Sequence, residues 1–511
     1  MEQKNSWWPL VTICLGTFML LVDVTIVNVA LPQMAADLHT SFTGLQWVVD
    51  GYALSLGVLL LGAGALGDRH GHRRLYAAGL ALFALASLAC GVASGTGVLI
   101  AARVVQGVGA AAMFTTTFAL INAAYQGRAR GVAYGVWGGV SGAAAAVGPI
   151  LGGLLTEALS WRWIFLVNLP VSIAALVLCG TVLRPGETVR RGRFDVAGTL
   201  TFTVAAGALT LAVIRATTEG WSSAQTWGLL VLSGAGFAAF SLVERRSPDP
   251  MLDLSLLRNR SFAGVIVAAL LVNFAAFAAF TYTSIWLQSL IGLSPLRAGL
   301  TGLPMSILSV VVSGIVGAKL HGRSPRLVIG VGMLLIGAGA ALCALMVDAD
   351  ASWPALIAGY AVTGAGVGLV MPALAQSATA AVSRERAGMA AGAVTTARQL
   401  GFAIGIAVLG TVFAARAESH LSGHGVPDPA AAAHGLAAGQ AGRILAGVPA
   451  AVRSTVDGVL HGAAAAGLDA AFLVAAAAGL AGGVAVLALV RATPAPVASD
   501  DRPAEHAAVH Q

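Results

Sequence analysis

The chain has 511 residues, 57% of them hydrophobic and only 10% charged, with a mean hydropathy of +0.84. Apolar blocks of about twenty residues recur from end to end, more than a water-surrounded core can bury, which excludes a soluble enzyme and leaves a polytopic helical membrane protein. The net charge of +7 does not argue for nucleic acid, because the 29 Lys and Arg sit in short tracts between apolar blocks, mostly alternate ones.

Fourteen blocks are expected to span: 9–31, 45–66, 75–94, 98–122, 132–155, 163–183, 197–214, 227–243, 262–282, 298–318, 327–347, 355–378, 388–414 and 469–490. With a cytoplasmic N-terminus, 21 basic residues from Lys4 to Arg502 fall in inside tracts, six in outside tracts, and Arg103 and Arg398 within spans. That split obeys the positive-inside rule and puts both termini in the cytoplasm. Trp7, Trp8, Trp47, Trp161, Trp163, Trp227 and Trp353 fall at or near span ends, where an indole prefers the headgroup layer. Only Lys4 precedes the first span and no small-residue cleavage site follows it, so no removable signal peptide is expected.

The first span carries Asp23 and Asn28. A carboxylate at the bilayer centre costs at least about 2.5 kcal/mol, so it is expected to face a watery cavity and mark a proton path, with a structural hydrogen bond as the bland alternative. Counting ~1.5 Å per residue from the outer ends places Asp23 about 12 Å deep, and Asp50 and Arg103 about 8 Å deep. The three share one layer and could exchange partners, taking up and releasing a proton. Gly107 and Gly109 follow Arg103, and Gly148, Pro149, Gly152 and Gly153 punctuate the fifth span, removing bulk for close helix packing and allowing a kink.

Segment 244–260, with Pro248 and Pro250, reads as a seam between halves. The spans of the second half are read as free of Asp and Glu, with Arg398 as their one charge. Asn28, Asn273, Gln376, Arg398 and Gln399 are candidates to line a substrate cavity. The outer loop 415–468 holds His420, His424, His434 and His461 at irregular spacing, which points to a weakly ordered loop rather than a metal site. Cys14, Cys90, Cys179 and Cys343 lie in apolar blocks without CxxC spacing and read as small hydrophobes. The tail from Thr493 reads as disordered. No GxxxxGK[ST] phosphate loop is present, and no cofactor is expected.

Several stretches resemble, in order, motifs of the major facilitator superfamily and specifically its fourteen-spanner drug:proton antiporters. They are Leu21 to Pro32 on span 1, Gly64 to Arg74 in the following loop, Arg103 to Gly109 on span 4, Gly148 to Gly153 on span 5, and Trp161 to Pro170 entering span 6. Ser294-Pro295 with Ala298-Gly299, and the run Arg398-Gln399-Leu-Gly401, extend the match. The resemblance implies an all-α fold of two six-helix bundles, residues 1–183 and 261–490, an inserted helix pair with the linker in 184–260, and a cytoplasmic tail at 491–511. It further implies proton coupling at Asp23, Asp50 and Arg103, and a cytoplasmic gate of Asp68, Arg69, Gly71, Arg73 and Arg74. The loop Gly317 to Arg326 departs from the pattern by lacking the acid.

The function so implied is proton-driven export of lipophilic, including cationic, drugs or antibiotics, by alternating access in the cytoplasmic membrane, acting as a monomer. One charge moving across ~100 mV supplies about 2.3 kcal/mol, so no ATP is needed. A dedicated exporter of one metabolite, such as a self-made antibiotic, lipid or siderophore, is the alternative on the same fold. A membrane receptor that does not transport is the alternative from another class.

Overall fold

The structure is a computed structural model that describes residues 6–40, 42–183, 195–319, 324–348, 350–380, 382 and 387–491. Lys4, the tracts at Arg184, Arg190, Arg191, Arg193, Arg323, Arg384, Arg386 and Arg502, and the tail from Thr493 lie outside the described residues, as do the side chains of Asn28, Arg128, Pro149, Pro295 and Lys319. Among the described residues all regular structure is helical, as a chain in hydrocarbon requires if every backbone amide is to be satisfied within its own segment.

The first half is built from α1 (Trp8–Leu38), α2 (Phe42–His70), α3 (His72–Gly91), α4 (Thr96–Ala124), α5 (Gly127–Ala158), α6 (Trp163–Leu166) and α7 (Asn168–Thr181). Then come α8 (Val196–Glu219) and α9 (Ala224–Arg246). The second half holds α10 (Arg260–Asn273), α11 (Ala279–Ser289), α12 (Pro295–Leu300), α13 (Leu303–Lys319), α14 (Pro325–Met346), α15 (Leu356–Ala380), α16 (Ala387–Gly423), α17 (Pro429–Ala437), α18 (Ala441–Ala446) and α19 (Arg453–Leu489). Thirteen candidate spans are found among the described residues. The fourteenth expected crossing is α5, a continuous 32-residue helix that packs against α1 and α13.

Within the first half, α1 packs on α5, α4 on α2 and α3, and α3 on α7. Within the second, α14 packs on α15 and α19, α13 on α15, and α16 on α10 and α19. The halves meet along α5/α13 and α2/α16. The inserted pair α8/α9 lies against this second seam, since α8 touches both α2 and α16. Trp221, in the turn between α8 and α9, donates from Nε1 to Thr411 Oγ1 on α16 at 2.5 Å.

Three expectations are corrected. Segment 415–468 is not a weakly ordered loop: α16 and α19 run on beyond the membrane thickness, and α17 and α18 bridge them, as its alanine-rich sequence favours helix. Trp161 is not a headgroup anchor, for it is 2% exposed and donates from Nε1 to Asp37 Oδ2 at 2.9 Å. Finally, the last span does not begin at 469, because α19 starts at Arg453. The four cysteines are buried and free.

Asp37 also pairs with Arg162, whose guanidinium reaches the Ala93 carbonyl, so the end of α1, the end of α3 and the α5–α6 turn are tied together. The hydrogen bonds from Arg162 and Trp161 hold the Asp37 carboxyl below the usual carboxylate range. A depressed acid stabilises the fold above its unfolded value and loses that contribution as pH falls through the folded one, so this tie persists through mild acid and releases only below the ordinary carboxylate range.

Close helix packing rests on glycines in the expected places, though not all of them. A Cβ on Gly109 would lie 2.8 Å from both the Gly79 carbonyl oxygen and the Phe83 amide nitrogen, backbone atoms that cannot rotate away. A Cβ on Gly107 would meet the Tyr52 carbonyl at 2.6 Å, and one on Gly148 would strike Thr25. Gly153, by contrast, has open space around it. Gly109→Ala is therefore expected to lower stability by about 1–3 kcal/mol, the usual cost of overpacking. Gly153→Ala is expected to leave the midpoint of denaturant unfolding unchanged in the same detergent.

Candidate functional site

The acid on α1 is not at a watery cavity. Asp23 is fully buried and its Oδ2 lies 2.5 Å from Nη1 of Arg103 on α4, itself 1% exposed. Its Oδ1 accepts from Gln106 Nε2 at 3.0 Å and from Asn168 Nδ2 at 3.1 Å. Ser87 Oγ accepts from the same two amides at 2.8 and 3.4 Å, Arg103 Nη1 also donates to Gln106 Oε1 at 2.6 Å, and Arg103 Nε donates to the Val48 carbonyl at 3.0 Å. The guanidinium carbon stands 4.1 Å above the Tyr52 ring. Helices α1, α2, α3, α4 and α7 thus converge on one charge pair whose lone pairs and protons are largely satisfied, the condition under which burying both charges is tolerated.

Asp50 does not join this network. It is half-buried on α2, and no hydrogen bond or ion pair of its side chain is found among the described residues. The expected three-charge device is therefore a closed pair plus a separate acid. Gln106, Asn168 and Ser87 were given no role by sequence. Gln106 was findable, since i,i+3 spacing puts it on the same face as Arg103.

The loop motif makes the contact between halves. Asp68, 2% exposed, accepts from the amides of Gly388 and Met389 at 2.7 and 2.8 Å, so the acid from α2 sits on the N-terminus of α16. That pairing exploits the unsatisfied amides and positive dipole end of a helix start. His72 Nε2 lies 3.2 Å from the same carboxylate. A Cβ on Gly64 would lie 2.5 Å from the Gly388 carbonyl oxygen, and one on Gly392 would lie 3.1 Å from that of Leu60. The arginines of the motif act elsewhere: Arg73 donates from Nε to the Cys179 carbonyl at 3.1 Å and from Nη2 to that of Gly180 at 2.6 Å, capping α7. Arg74 is exposed, and for Arg69 no polar contact is found among the described residues. Gly71 turns the chain from α2 to α3 at φ +91°, a conformation that glycine adopts without penalty.

In the second half Arg398 and Asn273 come together, with Nε donating to Asn273 Oδ1 at 3.4 Å. Gln399, next in sequence, has its Cβ 4.0 Å from where a side chain on Gly57 of α2 would begin. Gln376 lies near the end of α15 and not at this level. The five residues Phe274–Ala278 immediately after Asn273 form a π-helical turn. The last span does hold an acid, contrary to expectation: Asp469 lies well inside α19 and is half-buried, because that helix starts at Arg453.

Two helical bundles that meet at two seams, clasped at one end by a loop acid, define a membrane transporter rather than an enzyme. The chain belongs to the Major Facilitator Superfamily, whose profile matches residues 13–406. It is 39% identical over 433 residues to the multidrug resistance protein Stp of Mycobacterium tuberculosis, covering 83% of this chain and 80% of that protein. It is 32% identical over 512 residues to the tetracenomycin C resistance and export protein of Streptomyces glaucescens, covering 98% and 94%. Among solved structures, that of the human organic anion transporter MFSD10 superposes with a TM-score of 0.60 over 95% of this chain and all of that one, and at 15% identity this likeness concerns the fold alone.

Removing one member of a buried pair strands the other. Asp23→Asn is expected to cost about 3–5 kcal/mol, read as a lower unfolding midpoint of the purified protein. The double variant Asp23→Asn with Arg103→Gln is expected to recover part of that loss.

Proposed function

We propose that this transporter is a proton-coupled antiporter that exports lipophilic, antibiotic-like molecules from the cytoplasm by alternating access. The observation that carries the reading is the clasp of Asp68 on the first amides of α16, a contact between the halves at one end of the seam, built from groups that can separate without breaking either bundle. With the arginine-rich face in the cytoplasm, the clasp closes the inner side, and its release would let the halves rock about a site between them. The names of the relatives support the choice of cargo.

In this reading the Asp23–Arg103 pair is the strut that keeps the first bundle rigid as it moves. Asp50 takes the proton, since a carboxylate that alternates between a wet and a dry setting binds a proton in one and releases it in the other. The name of the tetracenomycin relative favours a second reading, a dedicated exporter of one product, which a substrate panel on cells expressing the protein separates from broad export.

Asp50→Asn is expected to abolish ethidium efflux driven by a pH gradient in everted vesicles. Having no partner to strand, it is expected to change stability by less than about 1 kcal/mol. Full efflux by this variant would remove Asp50 from the mechanism. Asp68→Asn, which weakens the clasp, is expected to slow efflux with the unfolding midpoint kept.

A further inference from the structure

The two halves treat their buried cations differently. Arg103 has a carboxylate, an amide, a carbonyl and an aromatic face, whereas the one contact found for Arg398 among the described residues is the neutral Asn273 oxygen at 3.4 Å. A guanidinium offers five N–H donors, so most of those on Arg398 are uncommitted, and no described carboxylate pairs with it. Position along the helices puts it deep: Arg398 is eleven residues into α16, ~17 Å from the clasped face, and Asn273 closes α10 thirteen residues in, ~20 Å.

The surroundings hold this cation where the halves join. Gly401 lets α10 approach until a Cβ there would strike the Leu270 carbonyl, and Gly405 sits where a Cβ would be 3.1 Å from Phe274 Cα, at the start of the π-helical turn. Such turns are rare and frequent at functional sites. On the adjoining side Gln399 abuts α2 of the other half. A fixed, half-buried guanidinium at membrane depth, aimed by an amide, beside a widened turn and at the seam between halves, lacks only an anion. Within the membrane such a charge faces the bundle interior or a water-filled cavity and marks a substrate or ion pathway.

We infer that Arg398 is the recognition group for an acidic function on the cargo, so that the preferred substrates are amphipathic organic anions, bound through the guanidinium fork with Asn273 as its positioning residue. The inference rests on the exporter reading and names its substrate class. The fork suits a planar or tetrahedral oxyanion, because two parallel N–H donors meet two oxygens at once. Asp50, on the other half, stays with the proton and does not compete for the anion.

The test is equilibrium binding of radiolabelled taurocholate, an amphipathic anion, and of ethidium, a lipophilic cation, to the full chain in phosphatidylcholine nanodiscs. Arg398→Gln is expected to weaken taurocholate roughly tenfold or more, the usual worth of a charged hydrogen bond, with ethidium affinity unchanged. Arg398→Lys, which keeps the charge but loses the fork, is expected to fall between the wild type and Arg398→Gln. Asn273→Asp, which supplies an internal carboxylate to the guanidinium without changing volume, is expected to block taurocholate while the protein elutes as the wild type does. Taurocholate binding that is absent in the wild type, indifferent to Arg398→Gln or untouched by Asn273→Asp overturns the inference, as does an equal loss of both probes. Gradient-driven efflux by the wild type decides the underlying reading separately: with neither probe exported the exporter reading fails, and with ethidium exported a negative taurocholate result fails this inference alone.

Discussion

A carboxylate and a guanidinium packed together without water hold the first half of this protein in shape. Five helices supply the Asp23–Arg103 pair and its satellites, and each is fixed in rotation by the atom it must present. Ion pairs of this kind are seldom a net source of stability, because desolvation cancels most of the attraction. Their effect is on specificity: any helix that slides or turns leaves a charge unmet in hydrocarbon, so the bundle has one register. That rigidity is what a rocking mechanism needs from its moving bodies.

Between the bundles the design is the reverse. The α2/α16 seam sets glycines against backbone carbonyls beside the side chains of Val58 and Leu61, with the Asp68 carboxylate lying across the first amides of α16.

The sequence displayed the fold because hydrocarbon leaves few choices: span length and arginine alternation pointed to fourteen helices, and the ordered motifs, through the family they resemble, to two bundles. It misjudged places where the partner of a residue lies far along the chain. Asp23 read as an acid at a cavity because an isolated carboxylate in a span has no visible counter-charge, and its partner Arg103 stands eighty positions away on another helix. Gln106 and Asn168 were quoted within motifs without a role, as amides give no periodic signal. The boundary of the last span was set by hydropathy, whereas α19 runs on as far back as Arg453 because alanine sustains a helix in water as readily as in lipid. Asp469 thereby moved from an edge to an interior.

The inserted pair gives the molecule a sidedness that its two-bundle plan lacks. The inserted helix α8 rests on both α2 and α16, whereas at the α5/α13 junction the helix that touches both partners is α15, a member of the second half itself. The inserted helices thus border one junction only, and the two flanks of an otherwise paired plan differ in what lies beside them.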